Sequence, residues 1–178
     1  MTVYVAMLRG VNVGGNSLKM DWLRQACEGF GLQNVRTYVQ SGNIVFSSHA
    51  SAVKLAQTLK ATIDAQTRLP VTVVLRSAAD IEKVVAANPF LKQKGVDATK
   101  LHVTFLDKVP VKPALDRLDA LAGTRDQYRL NGSELYLNCP INYGETRLCN
   151  GAIEKVLGVG ATTRNLKTVM TLQAMAAE

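Results

Sequence analysis

The residue types best suited to binding chemistry fall in two polar stretches. The first is Arg9-Gly10-Val11-Asn12-Val13-Gly14-Gly15-Asn16, continuing through Ser17 to Lys19; the second is Gln40-Ser41-Gly42-Asn43. Glycine lets a chain turn with no side chain in the way, so backbone N–H groups in such loops can approach a bound anion. Between them the stretches offer Arg9, Asn12, Asn16, Ser17, Lys19, Gln40, Ser41 and Asn43, and they contain no Asp, Glu, His or Cys. General acid–base catalysis needs a group that titrates near neutral pH or a carboxylate pair. A serine nucleophile at Ser41 needs an adjacent base. Neither is supplied locally. The chemistry expected is therefore capture of an anion or polar ligand by Arg9, Gly10, Asn12, Gly14, Gly15, Lys19, Gln40, Ser41, Gly42 and Asn43. A plainer reading stands beside it, since Gly and Asn are ordinary turn formers and Ser41-Gly42-Asn43 can simply close a hairpin. The glycine spacing matches neither the Walker loop nor the dinucleotide fingerprint, so no cofactor is implied.

A second candidate is Thr162-Thr163-Arg164-Asn165, read as the mouth of a last helix over 165–176. Capping accounts for Thr163 or Asn165. It does not account for Arg164, because a cation in a first helical turn is disfavoured unless something negative offsets it. Tyr143, Gly144 and Arg147 precede the helix before it and add another cation.

The elements that must position these residues follow from periodicity. Val3 to Leu8 reads as a strand apolar on both faces, hence covered on both sides. Met20, Leu23, Ala26, Cys27 and Phe30 recur at helical spacing and end at Gly31. Strands at 35–39 and 44–47 enclose the short Gln40–Asn43 connection, the mark of a hairpin. A helix capped by Ser51, with Leu55, Ala56, Leu59 and Ile63 inward, leads to a strand at 71–75. This βαββαβ order is that of a ferredoxin-like plait. In that topology the loop after strand one and the hairpin between strands two and three emerge at the same end of the sheet. Arg9 to Lys19 and Gln40 to Asn43 are thus expected to flank each other.

Ser77 and Asp80 form a capping box for a short helix carrying Ile81, Val84 and Val85, stopped by Asn88-Pro89; 92–97 reads as a linker. The pattern then restarts: a strand at 101–106, a helix opened by Pro113, strands at 127–130 and 134–138 joined by Asn131-Gly132 as a type I′ turn, and a helix with Leu148, Ile153, Val156 and Leu157. No clear fourth strand is read in this second half. The organisation expected is α+β: a ferredoxin-like half over 1–76, a connection over 77–99, and a second ferredoxin-like half with a C-terminal helix over 100–178.

Composition narrows the partners. Lys+Arg exceed Asp+Glu by 21 − 14, a formal charge of +7. This suits an anionic small molecule or nucleotide. Nucleic acid fits the charge too, but the basic residues are scattered and no base-stacking signature is present. The cysteines, Cys27, Cys139 and Cys149, form no C-x-x-C pair, and neither His49 nor His102 sits in a ligand motif, so neither a disulfide framework nor a metal site is expected. No signal peptide or membrane span is read, so the cytoplasm is the expected compartment. Oligomeric state is open.

Tyr4 to Gly15, Tyr38 to Phe46, Asn88-Pro89-Phe90 and Thr162 to Asn165 together resemble the largely bacterial domain-of-unknown-function family 1697 across nearly the whole chain. The resemblance implies a duplicated ferredoxin-like (α/β plait) architecture and no established activity, substrate or cofactor. An aromatic residue expected in many relatives is replaced by Leu166-Lys167 here. Three functions compete: a binder of an anionic or phosphate-bearing ligand, nucleotide or nucleic acid, at the rim of loop 9–19 and hairpin 40–43, an enzyme drawing carboxylates such as Asp107, Asp126, Glu134 or Glu145 from the second half, and an interaction module whose glycines serve only tight turns.

Overall fold

The computed structural model describes residues 1–14, 17–67, 70–111 and 115–178. Its first sheet is built from β1 (Thr2–Arg9), β2 (Gln33–Tyr38), β3 (Asn43–Ser48) and β4 (Thr72–Ser77) in the order β2-β3-β1-β4, every pairing antiparallel. Helices α1 (Met20–Gly29) and α2 (Ala52–Thr67) make the two crossovers. After α3 (Ala78–Ala86) the second sheet collects β5 (Leu101–Leu106), β6 (Gln127–Asn131), β7 (Glu134–Asn138) and β8 (Ala161–Asn165) in the order β6-β7-β5-β8, again antiparallel, with α4 (Leu115–Ala122) and α5 (Asn150–Leu157) as crossovers. A last helix, α6 (Leu166–Ala177), closes the chain. The two orders are identical once the strands are renumbered within each half. The fold is α+β, a duplicated ferredoxin-like plait.

Packing divides the chain into two units, Met1–Lys83 with Thr171–Glu178, and Val84–Met170. The last turns of α6 therefore group with the first unit. In that unit Ala6, Leu8, Ile44 and Phe46 on one face of the sheet pack with Leu23 and Cys27 of α1 and Leu55, Leu59 and Ile63 of α2. Both faces of β1 are closed, as its uniform apolarity requires: Val5, Ala6 and Met7 are 0% exposed and Leu8 1%. In the second unit Leu106, Leu135 and Leu137 pack with Leu118 of α4 and Ile153 and Leu157 of α5.

The helix ends are made as their residues dictate. Gly31 at φ +78° ends α1 in a Schellman motif, its N–H donating to the Glu28 carbonyl (2.9 Å) while the Leu32 N–H reaches the Cys27 carbonyl (3.2 Å). At α3 the Asp80 N–H donates to Ser77 Oγ (3.1 Å) and the Ser77 N–H to Asp80 Oδ2 (3.4 Å), a reciprocal capping box.

Two expectations are corrected. The second half has its fourth strand: Ala161–Asn165 is β8, paired with β5 from His102↔Asn165 to Leu106↔Ala161. Gly158 at φ +64° ends α5 early enough for the chain to return as a strand. The Asn131-Gly132 connection is not a type I′ turn. Asn131 pairs with Glu134, so the loop is Gly132-Ser133, and Gly132 alone of the two has positive φ (+61°). That is the φ pattern of a type II′ turn, with glycine first. Pro113, Gly15 and Asn16 lie outside the described residues. Among those described, no helix is long and apolar enough to cross a membrane.

Candidate functional site

The two polar stretches of the first half meet at one end of its sheet. The Leu8 N–H, at the end of β1, donates to the Gly42 carbonyl (2.8 Å). Asn12 Nδ2 donates to the Gln40 carbonyl (2.7 Å) and to the Leu18 carbonyl (3.0 Å), while Asn12 Oδ1 accepts from the Leu18 N–H (2.6 Å). One amide thus closes the loop on itself and fastens it to the hairpin. Gly42, at φ +74°, lies so close beneath that a Cβ there would sit 2.6 Å from Val11 Cγ2 and 2.8 Å from Leu8 Cβ. No other residue type fits.

The loop backbone alternates in sign. Gly10 (φ +92°), Asn12 (+52°) and Gly14 (+61°) are left-handed, and Val11 and Val13 between them are not. Successive N–H groups turn toward one side and make anion-binding concavities where αR and αL residues alternate, and the φ signs here meet one requirement of that pattern. Val39, at the start of the hairpin loop, also has positive φ (+52°). For a β-branched residue this is an outlier held by its surroundings. Sequence reasoning missed it, because nothing in the residue type announces it.

The predicted site residues separate by accessibility. Lys19, Gln40, Ser41 and Gly14 are exposed, and Arg9, Gly10 and Asn12 are half-buried. Lys19 occupies the N-cap of α1 without a side-chain capping bond, and Asp21 lies in that helix's first turn. Asn43 is fully buried; its Nδ2 donates to the Tyr38 carbonyl (3.0 Å) and to Ser41 Oγ (2.9 Å), which stiffens the hairpin from inside. Gly15 is outside the described residues.

The C-terminal candidate takes a different form from the helix mouth expected. Thr162, Thr163 and Arg164 are strand residues of β8. Only Asn165 caps α6, its Oδ1 accepting from the Thr168 N–H (2.8 Å). Thr163 Oγ1 donates to Asn150 Oδ1 (2.7 Å) and bonds Thr104 Oγ1 (2.7 Å) across the ladder. Arg164 is buried and donates to Thr162 Oγ1 (2.8 Å) and to the Thr163 carbonyl (2.9 Å). Burial pushes its guanidinium down to about 10, with Tyr143 acting in the opposite sense. Arg164 thus never occupies a first helical turn, and the electrostatic objection to it there does not arise. Beside this strand His102 stacks on Tyr143 with centroids 4.6 Å apart. Burial holds the imidazole below its ordinary pKa, opposed by the Nδ1 bond to the Lys100 carbonyl.

The carboxylates named for an enzyme have structural partners. Asp107 Oδ1 accepts from the Gly160 N–H (2.9 Å), Asp126 Oδ2 from Thr146 Oγ1 (2.6 Å) and Glu134 Oε1 from Ser133 Oγ (3.2 Å). Glu145 accepts from Asn142 Nδ2, whose Oδ1 caps Glu145's own N–H. Among the described residues no group of three or more His, Cys, Asp or Glu is arranged to hold a metal ion.

The duplication supplies a comparison within the molecule. In the second half the Leu106 N–H donates to the Ser133 carbonyl at 2.8 Å, the counterpart of Leu8 and Gly42. The residue that follows is Arg9 in the first half and Asp107 in the second. Asp107 closes its own strand end by exchanging bonds with Gly160 through both backbone and side chain.

The model of a protein family described as "Protein of unknown function (DUF1697)" matches residues 1–136. The chain belongs to that family. No curated protein matches it. Among solved structures, the conserved bacterial protein SP0830 of Streptococcus pneumoniae is similar over 100% of this chain and 99% of its own, with a TM-score of 0.82 at 23% identity. At that identity the likeness speaks for the fold alone. Membership of DUF1697 carries no activity, and the match to residues 1–136 includes both rim stretches but not Thr162–Asn165.

Proposed function

We propose that this DUF1697 protein binds an anionic, phosphate-bearing ligand, a nucleotide or smaller, at the rim formed by the 9–19 loop and the 40–43 hairpin, and that it does so in the cytoplasm. The reading rests on one observation: the alternating φ signs of Gly10 to Gly14, fixed in place by the Asn12 bond to Gln40. Backbone amides so aimed carry partial positive charge that needs no side chain to deliver it. Lys19, exposed beside them, adds a full charge, and the N-terminus of α1 adds its dipole. Where the second half has Asp107 at the matching strand end, the first half has Arg9, a cation. Three free cysteines accord with a reducing compartment.

Calorimetric titration with pyrophosphate and with ADP tests this. Binding is expected at low salt and is expected to weaken as ionic strength rises and the Debye length shrinks from ~30 Å toward ~8 Å. Lys19→Ala is expected to weaken it about tenfold, the worth of one charge-assisted hydrogen bond. Flat titrations for both compounds at the lowest salt would remove the proposal.

A further inference from the structure

At the opposite end of the first sheet, on the face away from α1 and α2, a cleft of about 620 Å³ opens between the β1–β3–β2 strands and the end of α6. Its cation is Arg36. The β2–β3 ladder slips between Gln33 and Arg36, and Asn34 within the slip has φ +53°. A bulge of this kind re-aims the side chains around it. Arg36 stands opposite Val45 in the ladder and reaches across the cleft with both arms. One terminal nitrogen donates to the Met175 carbonyl in the last turn of α6, and the other to the Glu178 carboxylate.

The two arms do different work. The bond to Met175 satisfies a carbonyl left over at a helix C-terminus. The other arm places a carboxylate in front of a mixed lining, in which Val3 and Met175 are half-buried, Val45 and Ala176 are almost wholly covered, and Asn34 and Ser47 are polar. That ion pair is exposed, with 37% of the Arg36 side chain and 66% of Glu178 accessible, so solvent screens it and Glu178 is held weakly. The volume lies within the small-molecule range, and a single cation beside the half-buried Val3 and Met175 and the polar Asn34 and Ser47 suits a small anion with a short apolar part.

We propose that this cleft is a binding site for a small organic carboxylate with an apolar body, in which Arg36 takes the ligand carboxylate in place of that of Glu178 and the body lies against Val3 and Met175. Glu178 is then an intramolecular competitor. Calorimetry with 4-phenylbutyrate as the probe, and with 4-phenylbutylamine as its charge-reversed counterpart, tests this. The acid binds and the amine does not. Glu178→Gln tightens the acid about threefold by removing the competitor, and Arg36→Gln weakens it at least about tenfold. An Arg36 that serves only to end α6 predicts no gain from Glu178→Gln, and that result overturns the proposal, as does equal binding of acid and amine or no binding of the acid to either the parent protein or Glu178→Gln. Unfolding midpoints are recorded for each variant. Should Arg36→Gln fail to fold, the Glu178→Gln comparison decides alone.

Discussion

Asn12 is the residue on which the rim turns. Its φ of +52° is tolerated by Asn far better than by branched or bulky residues, and its amide makes a donor and an acceptor available at once. Asn12→Asp keeps the backbone preference and the acceptor for the Leu18 N–H but points a carboxylate oxygen at the Leu18 and Gln40 carbonyls. The expected loss is about 2–3 kcal/mol, read as a lower urea midpoint at unchanged slope. The glycines grade in a way their shared left-handed conformation hides. Gly42→Ala meets Val11 and Leu8 inside 3 Å, adding overpacking to backbone strain, for about 3 kcal/mol together. Gly14→Ala meets nothing within 4 Å and is expected to cost about 1 kcal/mol, the backbone part alone. Urea unfolding of the two variants side by side checks the ranking; equal losses would mean that the contact beneath Gly42 relaxes freely.

At the scale of elements, pH reports which ends are tied down. Hydrogen bonding from Ser77 holds the Asp80 carboxyl below its ordinary value, and Lys60 does the same for Asp64, whose Oδ1 also accepts from the Val71 N–H (3.2 Å) at the entry to β4. Both are depressed acids in the folded chain, so the unfolded chain takes up protons first on acidification. Their stabilisation is complete above the ordinary carboxylate range near 3.8 and is lost as pH falls through the lower folded values. Each is partly exposed, so the gain is at most about 0.5 kcal/mol. Asp80→Asn should therefore lower the thermal midpoint at pH 7 and leave it nearly unchanged at about pH 2. His102 acts higher on the scale. Burial depresses its folded pKa, so the unfolded imidazole protonates first and stability begins to fall as pH drops through about 6.5. Substituting His102→Gln should flatten that part of the midpoint-versus-pH curve. Elements with a local chemical signature were legible: the capping box at Ser77 and Asp80, the Schellman glycine at Gly31, the two-sided β1. β8 was not, because Thr163 and Asn165 advertise a helix start as strongly as a strand. Asn165 indeed caps α6, and only pairing with β5 fixes Ala161 to Asn165 as extended.

At the scale of the whole molecule, duplication separates what the plait requires from what one copy adds. Both copies need a strand end bonded to the facing hairpin, and both have it, through Leu8 with Gly42 and Leu106 with Ser133. Topology alone therefore made the meeting of the two polar stretches readable from the residues, and the left-handed positions at Gly10, Asn12 and Gly14 fall on the residue types that adopt them most readily, whereas the strain at Val39 is announced by nothing in its residue type. After the strand end the copies diverge. The first continues into Arg9 and a left-handed, glycine-bearing loop; the second turns Asp107 back onto Gly160. An anion that responds merely to the net charge of +7 has no reason to prefer one copy over the other. An anion held by the rim does. Amide NMR shifts followed during a pyrophosphate titration should move at residues 10–14, 17–19 and 39–42, with Asp107, Lys108 and 131–133 still, and the moving set should stay the same as salt is raised while its affinity falls. Shifts spread equally over the two strand ends would assign the binding to diffuse charge and leave the glycine loop as a turn.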